Sequence, residues 1–381
     1  MFYEQKNIYD CTDYNSYLCP KETCIKRKIN SDNCNFLLVG CWGVYCWDGY
    51  VEMKEFKPKK NNFDIAVELF GQKRVVKGME NFSTKTKTEA LFLAGDNVYN
   101  YNIPKQKLID IVEQKNYPTK EQYKGDVDIS GQIIEKQINE GFLNCVDKIP
   151  VKDFFIAIGN HDMQNCHDLN YQLNYNQDLY KLPGLYYNVE YKLKNFSVNF
   201  LILDTNMFSQ ENTCNPNIVY TEKMINKQIN WVINCLKKVN AKWNVIIGHV
   251  PYKANGHSEK SPSEFNNYLD KLFNKINTIS EQGKCPPVQI YFCADEHNQQ
   301  FLYDEPKKLS LVVTGSGGTA LDYDIQVTDK YLKNTKYINA TFGFVNFNFT
   351  RKYANIIYYS SEEKSSQKTF TVKINSKGKI L

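Results

Sequence analysis

The segment Phe154-Phe155-Ile156-Ala157-Ile158-Gly159-Asn160-His161-Asp162 places polar, chemically active side chains directly after an apolar run. Five apolar residues bounded by polar and glycine signals predict a buried strand, and the glycine lets the backbone turn sharply where the strand ends. Asn160 and His161 then lie at the carboxyl end of the strand, which is where open α/β sheets bind their ligands. Two potential ligands and a titratable ring in this position indicate a functional site.

The same arrangement occurs at four further places in the chain. Short apolar runs precede the segments Gly40-Cys41-Trp42-Gly43, Gly95-Asp96-Asn97-Val98-Tyr99, Gly248-His249-Val250-Pro251 and Cys293-Ala294-Asp295-Glu296-His297-Asn298. One such segment taken alone is more often an ordinary turn. Because the carboxyl ends of neighbouring strands converge on one crevice, the five turns together predict a single shared site.

Apolar runs and helical patterns alternate along most of the chain, which predicts an α/β layered fold with helices on the sheet faces. Segment 100–130 is rich in lysine and glutamine and is expected to be a surface insertion. Helical spacing is found at 65–79, 225–236 and 269–276. Strands are predicted at 36–39, 90–94, 154–158, 200–203, 245–247 and 288–292, and three more without helices between them at 342–349, 354–359 and 369–374.

Composition limits the classes of protein to which the chain can belong. Its 381 residues, 42% of them hydrophobic, are enough for one large core, and no run of 18 apolar residues predicts a transmembrane segment. The formal net charge is only +5 and the lysines are dispersed. We interpret the cluster Lys26-Arg27-Lys28 as a solvated loop, so no nucleic-acid partner is expected.

The chain has twelve cysteines, and six of them fall in the first 46 residues. Their spacing does not fit a zinc finger, so we predict a cysteine-rich, disulfide-tied extension over 1–34, followed by one domain over 35–381. Disulfides favour a secretory, lysosomal or extracellular location. Because Met1-Phe2-Tyr3-Glu4 does not begin a signal peptide, an organellar or cytoplasmic location with free thiols stays open.

In their order and spacing the five turns resemble the signature of the calcineurin-like metallophosphoesterases. Within that class the chain is similar to the small tartrate-resistant-type purple acid phosphatases, whose motifs read GDWG, GDNxY, GNHD, GHxP and GHDHN. The resemblance covers roughly residues 35 to 350. It implies a four-layer αββα sandwich, in which two packed mixed sheets are flanked by helices. It also implies hydrolysis of phosphomonoesters at a dinuclear site holding iron, zinc or manganese.

The resemblance implies a role for each metal-ligand position. Asp96 would bridge two ions. The first ion would also be held by Tyr99, His297 and the residue at position 41, and the second by Asn160, His249 and the residue at position 295.

The substrate-facing residues follow from the same resemblance. His161 would lie over the phosphate and protonate the leaving oxygen, and Asn97 would contact the substrate. His257 is either a substrate-facing loop residue or plain surface. His167 is predicted to lie on the surface.

Two ligand positions depart from the family pattern. Position 41 is cysteine where the family has aspartate, and position 295 is aspartate where the family has the first histidine of its last motif. A Cys41 thiolate keeps the negative charge and shifts the metal preference from ferric iron toward zinc. The alternative is that Cys41 forms a disulfide, with Cys46 or with the extension.

Three functions follow as hypotheses. The first is a phosphomonoesterase that uses two metals and a phosphate ester substrate. The second is a catalytically impaired pseudophosphatase that serves as a structural or anchoring subunit of a protein assembly, because two ligands are exchanged. The third is a metal-binding or redox module built on the N-terminal cysteines, which their spacing disfavours.

Overall fold

The fold was analysed in a computed structural model of the chain. It describes residues 24–43, 65–99, 137–138, 148–163, 166–175, 178–208, 220–256, 264–319, 321–322, 331, 333–361 and 366–381. The predicted insertion at 100–130 and the predicted roles of His257 and of the His167 side chain lie outside the described residues.

All nine strands predicted from the sequence are confirmed, with shifts of at most a few residues at their ends, and they are among fifteen strands in the described residues. The strands are β1 (Cys24–Lys28), β2 (Asn33–Val39), β3 (Ala90–Ala94), β4 (Asp153–Ala157), β5 (Tyr180–Lys181), β6 (Tyr187–Lys192), β7 (Ser197–Ile202), β8 (Trp243–Ile247), β9 (Ile290–Cys293), β10 (Gln299–Asp304), β11 (Leu309–Thr314), β12 (Thr335–Asn339), β13 (Gly343–Thr350), β14 (Tyr353–Ser360) and β15 (Gln367–Asn375). The helices are α1 (Ile65–Lys85), α2 (Cys166–Asn174), α3 (Glu222–Lys238) and α4 (Glu264–Glu281).

The strands form two mixed sheets. The first sheet has the order β1-β6-β7-β8-β9-β11-β10-β12, and the second has the order β15-β14-β13-β2-β3-β4-β5. The neighbours β7-β8-β9-β11 in the first sheet and β2-β3-β4-β5 in the second are parallel. Strands β3, β4 and β8 are buried along their whole length, which agrees with the uninterrupted apolar runs that predicted them.

Aromatic side chains fill the space between the two sheets. The ring of Phe200 on β7 lies 4.3 Å from that of Phe92 on β3 and 4.8 Å from that of Phe36 on β2. In the same interface the ring of Trp243 on β8 lies 5.6 Å from that of Phe349 on β13. Rings at these separations add to the free energy gained by burying their surface, so this layer forms the core.

Helices cover the outer faces of both sheets. On the second sheet, Phe82 of α1 packs edge-on against Tyr359 of β14 at 5.4 Å. On the first sheet, Phe273 of α4 packs against Tyr291 of β9 at 5.3 Å. Helix α3 begins after Thr221, whose hydroxyl accepts a hydrogen bond from the backbone of Met224 at 3.3 Å. The predicted four-layer αββα sandwich is confirmed.

The Lys26-Arg27-Lys28 cluster was wrongly predicted to be a loop. It belongs to β1, which pairs in parallel with β6 at the edge of the first sheet. The guanidinium of Arg27 donates two hydrogen bonds, of 2.8 and 2.9 Å, to Asp153 at the start of β4 in the second sheet. Only alternate residues of this edge strand are partly covered, so its sequence lacks the apolar pattern that reveals a strand.

The boundary between extension and domain, placed after residue 34, stays a prediction. Residues 24–28 and 33–34 of the proposed extension nevertheless contribute β1 and the start of β2. Among the described cysteines, Cys24, Cys34, Cys41, Cys285 and Cys293 carry free thiols. Cys41 is therefore free to serve as a ligand, and the remaining disulfide expectation falls on residues outside the described ranges. In the described part of the chain, no helix combines the length and apolarity that crossing a bilayer requires.

The contacts of Phe200 predict that this residue is a main support of the packing between the sheets. We expect Phe200→Ala to lower the free energy of unfolding by about 3–5 kcal/mol, because it leaves a cavity between fully buried rings. Urea unfolding followed by circular dichroism measures the loss. The matched control is Phe370→Ala on the edge strand β15, whose ring is already partly exposed to water. Equal losses in the two variants would contradict a special role for Phe200.

Candidate metal centre

The five predicted turns meet at one end of the sandwich, across the interface of the two sheets. The turns after β2, β3 and β4 come from the second sheet, and those after β8 and β9 come from the first. Backbone hydrogen bonds tie neighbouring turns together: Cys41 N donates to Gly95 O at 2.9 Å, and Ala294 N donates to His249 O at 2.9 Å. The site is thus shared between the two sheets.

Three of the predicted ligands have left-handed backbone conformations. The φ angles are 49° at Cys41, 51° at Asp96 and 65° at Asp295, and Lys308 is the one further non-glycine residue with positive φ in the described ranges. Such conformations cost free energy in non-glycine residues and concentrate at functional sites. Gly159 lets the turns approach closely, because a Cβ atom there would lie 2.2 Å from Asp96 Oδ1.

The two carboxylate oxygens of Asp96 face two different groups of predicted ligands. Asp96 Oδ1 lies 3.3 Å from His249 Nε2. The same nitrogen lies 3.0 Å from Asn160 Oδ1 and 3.4 Å from Asp295 Oδ1. His249 Nδ1 contacts the carbonyl oxygen of Ala94 at 2.8 Å, which directs Nε2 toward the three oxygens. The four residues predicted for the second ion therefore converge.

The other oxygen of Asp96 faces the residues predicted for the first ion. Tyr99 donates its hydroxyl hydrogen to Asp96 Oδ2 at 3.1 Å, and Cys41 Sγ lies 3.9 Å from the same oxygen. The Tyr99 hydroxyl also lies 3.5 Å from His297 Nε2. All four side chains are buried. The four side chains predicted for the first ion therefore also lie together.

The charges of this cluster shift the ionisation of its members. Burial alone would lower the pKa of His249, but the carboxylates of Asp96 and Asp295 outweigh it and raise the pKa to about 10. Burial opposes ionisation of Asp295, yet its hydrogen bond to His249 lowers its pKa. Burial, with the charges of Asp96 and Asp295, raises the pKa of the Cys41 thiol well above its usual 9.0. The cluster therefore attracts positive charge, as a cation site must.

The donor atoms fit divalent cations in type and spacing. An ion with bonds of about 2.0–2.2 Å to tetrahedrally placed nitrogen and oxygen atoms holds them about 3.3–3.6 Å apart. The distances of 3.0–3.4 Å around His249 Nε2 lie close to this range. Cys41, Asp96 and His249 each offer a ligand atom within 4.8 Å of the others. A thiolate, two carboxylates and two imidazoles form a donor set typical of zinc.

His161 and Asn97 occupy different environments. His161 is partly exposed, and its ring lies 4.6 Å from the ring of Tyr99. Asn97 is buried, and its amide group donates to Ala157 O and to Asp162 Oδ2, each at 2.9 Å. Its oxygen accepts a hydrogen bond from the indole of Trp42 at 2.8 Å. The predicted substrate contact of Asn97 would have to replace one of these bonds.

Sequence reasoning assigned no role to Asp162, which organises the turns after β3 and β4. Its buried carboxylate accepts hydrogen bonds from the backbone of Gly159 at 2.7 Å, Asn97 at 2.9 Å and Val98 at 3.1 Å. Burial and the nearby Asp96 raise its pKa to about 7, although the backbone donors oppose this shift. Its place directly after His161 was a signal that could have identified it.

Two further supporting residues were missed. Thr205 Oγ1 accepts hydrogen bonds from the backbone of His249 and Val250, both at 2.9 Å, and so fixes the turn after β8. Asp322 accepts a hydrogen bond from the backbone of His297 at 2.9 Å. Thr205 lies shortly after the strand predicted at 200–203, whereas nothing in the sequence around Asp322 indicates its contact.

Comparison with known sequences gives one partial match. The chain is 27% identical over 124 residues to purple acid phosphatase 17 of Arabidopsis thaliana. This match spans 32% of the chain and 33% of that protein, so the chain covers about a third of this curated relative. A search of protein-family models finds no match.

Solved structures match over most of the chain. GAP50, described as the anchor in the inner membrane complex of Plasmodium, is similar with a TM-score of 0.57 at 16% identity, covering 91% of this chain and 89% of that one. Purple acid phosphatase PPD1 of yellow lupin gives 0.54 at 15%, covering 91% and 54%. PhoD gives 0.56 at 14%, covering 92% and 71%. At these identities the similarity concerns the fold.

The predicted resemblance is confirmed at that level, by the arrangement of the sheets and by the neighbours that share it. The chain has the fold of the calcineurin-like metallophosphoesterases, the fold that purple acid phosphatases share.

Proposed function

We propose that the chain hydrolyses phosphomonoesters at a dinuclear centre built around Asp96. The observation that carries the proposal is the two-sided placement of the Asp96 carboxylate. One oxygen lies 3.3 Å from His249 Nε2 and the other 3.1 Å from the hydroxyl of Tyr99. A carboxylate with ligands at each of its oxygens is what a bridged pair of ions requires.

The ions would be divalent, and zinc is the preferred candidate. Asp96, Asn160, His249 and Asp295 would hold one ion, and Cys41, Asp96, Tyr99 and His297 would hold the other. When bound, the pair supplies positive charge for the phosphate oxygens and activates water as the nucleophile. Negative charges on Cys41, Asp96 and Asp295 balance two divalent ions better than they balance ions of higher charge.

His161 would complete the chemistry as the proton donor. Its backbone donates a hydrogen bond to Asp96 Oδ1 at 3.0 Å, so its position is fixed relative to the bridging carboxylate. The ring lies beside Tyr99 and is partly exposed, so it can reach a bound ester. A histidine can give a proton to the departing alcohol near neutral pH.

A second candidate is a non-catalytic anchoring subunit. GAP50, described as an anchor, matches 91% of this chain and 89% of its own length, and two ligand positions here depart from the phosphatase pattern. In this case the fold would serve as a scaffold, and the site would lack turnover. Activity and metal content together distinguish the two candidates.

The first test is hydrolysis of p-nitrophenyl phosphate by protein supplied with zinc, manganese or iron. We expect turnover with at least one metal, and we expect His161→Ala to lower kcat by about 10²–10⁴-fold, because the leaving oxygen then lacks its proton donor. His167→Ala is the matched control, since His167 is predicted to lie on the surface. Metal-loaded protein without turnover would favour the anchoring candidate.

The second test asks whether Cys41 binds metal. Protein loaded with Co²⁺ should show the intense near-ultraviolet absorption of a thiolate bound to cobalt, and Cys41→Ser should remove it. The variant should also lose zinc affinity by more than the about 10–100-fold typical of outer-shell changes. Cys34→Ser is the control, because Cys34 is likewise a buried free thiol but lies at the start of β2. An unchanged spectrum in Cys41→Ser would exclude this ligand.

A further inference from the structure

The end of the sandwich opposite the metal centre carries a group of exposed cations. They lie just before strands β8 and β11, or at the carboxyl ends of strands β1, β6, β13 and β15. We call this surface the basic end. Its members are Lys28, Lys192, Lys194, Lys242, Lys308, Arg351, Lys352, Lys377 and Lys379, all of them exposed.

Contacts between the turns show that the basic end is continuous. Lys28 and Lys192 are register partners on the neighbouring strands β1 and β6. The backbone of Lys242 donates to Ser197 O at 3.1 Å, and Ser197 is the register partner of Lys192. The basic end is therefore connected across the first sheet from β1 to β8.

The same surface continues onto the second sheet. The indole of Trp243 donates to Thr350 O at 2.7 Å, which brings Lys242 next to the turn that contains Arg351. Gln289 donates to Lys242 O at 3.2 Å and to Ser376 O at 2.8 Å, which joins the turn containing Lys377. The cations of the two sheets therefore lie next to each other where the sheets meet.

Few carboxylates neutralise this surface. Among ion pairs between described residues, Lys192 is its one member with a partner, Glu190 at 3.7 Å. The exposed acidic side chains nearest to it in the chain are Asp32 and Glu305. Lys28 and Lys192 place like charges opposite each other on the neighbouring strands β1 and β6, and this arrangement costs free energy. An external anion would offset this cost.

We propose that the basic end docks on an anionic lipid bilayer. Eight of its nine members are lysines, which act as point charges suited to diffuse headgroup charge, whereas arginine forks favour nucleic-acid phosphates and bases. The two exposed large apolar side chains of the described residues, Ile380 and Leu381, lie beside Lys379 on the same surface. An apolar element next to lysines is typical of a membrane interface.

Docking in this way would orient the metal centre. In the first sheet the basic end spans six strands, from β1 to β11, or about 24 Å, and the two sheets are stacked about 10 Å apart. The turns that carry Cys41, Asp96 and His249 lie at the other end of the same strands. The centre would therefore face the water, away from the bilayer, and its ester would be a soluble molecule.

The test is cosedimentation of the full chain with vesicles of phosphatidylcholine, with or without about a third phosphatidylserine. We expect binding to the anionic vesicles alone, and loss of binding at 1 M salt, where the screening length is about 3 Å. The variant Lys192→Gln/Lys194→Gln/Lys242→Gln should bind on the order of 100-fold more weakly, because each basic residue contributes roughly fivefold.

The matched control removes the same charge from the helices α3 and α4, in Lys223→Gln/Lys271→Gln/Lys275→Gln, and should bind within about fivefold of the wild type. If the first variant does not fold, Lys308→Gln/Arg351→Gln/Lys377→Gln tests the other half of the surface. The proposal is overturned if the chain ignores anionic vesicles, or if both sets of variants weaken binding equally. It is also overturned if duplex DNA or RNA, and not the vesicles, binds with this dependence.

Discussion

The packing of the two sheets against each other is the constraint on which the candidate site depends. Asp96 and Asn160 come from the second sheet, while His249 and Asp295 come from the first, and no single sheet supplies a complete set. The aromatic layer around Phe200 fixes the alignment of the strand ends. A sliding of one sheet by even one residue, about 3.3 Å, would separate His249 from Asp96. The packing that stabilises the core therefore also sets the geometry of the candidate site.

The residues at positions 41 and 295 depart from the phosphatase pattern, yet both still offer donor atoms to the candidate site. Cys41 and Asp295 both adopt left-handed backbone conformations, and each directs a donor atom toward the cluster. Aspartate tolerates this conformation better than most residues, whereas cysteine at φ 49° is held there by surrounding contacts. A strained backbone conformation costs free energy at both positions. Binding of a cation by the two side chains would account for it. The raised pKa of His249 gives the same indication, because the cluster concentrates negative charge where a cation would lie.

Most of the fold, and the meeting of the proposed ligands at one end of it, could be predicted from the sequence, because each of these residues follows a strand whose apolar run is buried and unambiguous. Strand β1 could not, since an edge strand with Lys26 and Lys28 exposed lacks the alternation that marks a half-buried strand. Asp162, Thr205 and Asp322 were missed for a different reason. These side chains accept hydrogen bonds from the backbone of turns that are distant in the sequence. Such contacts depend on the tertiary structure and leave no local sequence pattern.

The division of charge between the two ends of the sandwich follows from the strand direction. Carboxyl ends of the parallel strands carry Asp96 and Asp295, while the opposite turns carry Lys192, Lys242 and their neighbours. Among the described residues, carboxylates therefore gather at the candidate site, here called the acidic end, and cations gather at the basic end. A soluble anionic ester is drawn to the acidic end only if cations reverse the sign of its potential, so binding of metal and of substrate would be coupled. The same condition separates an enzyme from a scaffold: a chain that never loads metal keeps a negative crevice that repels phosphate.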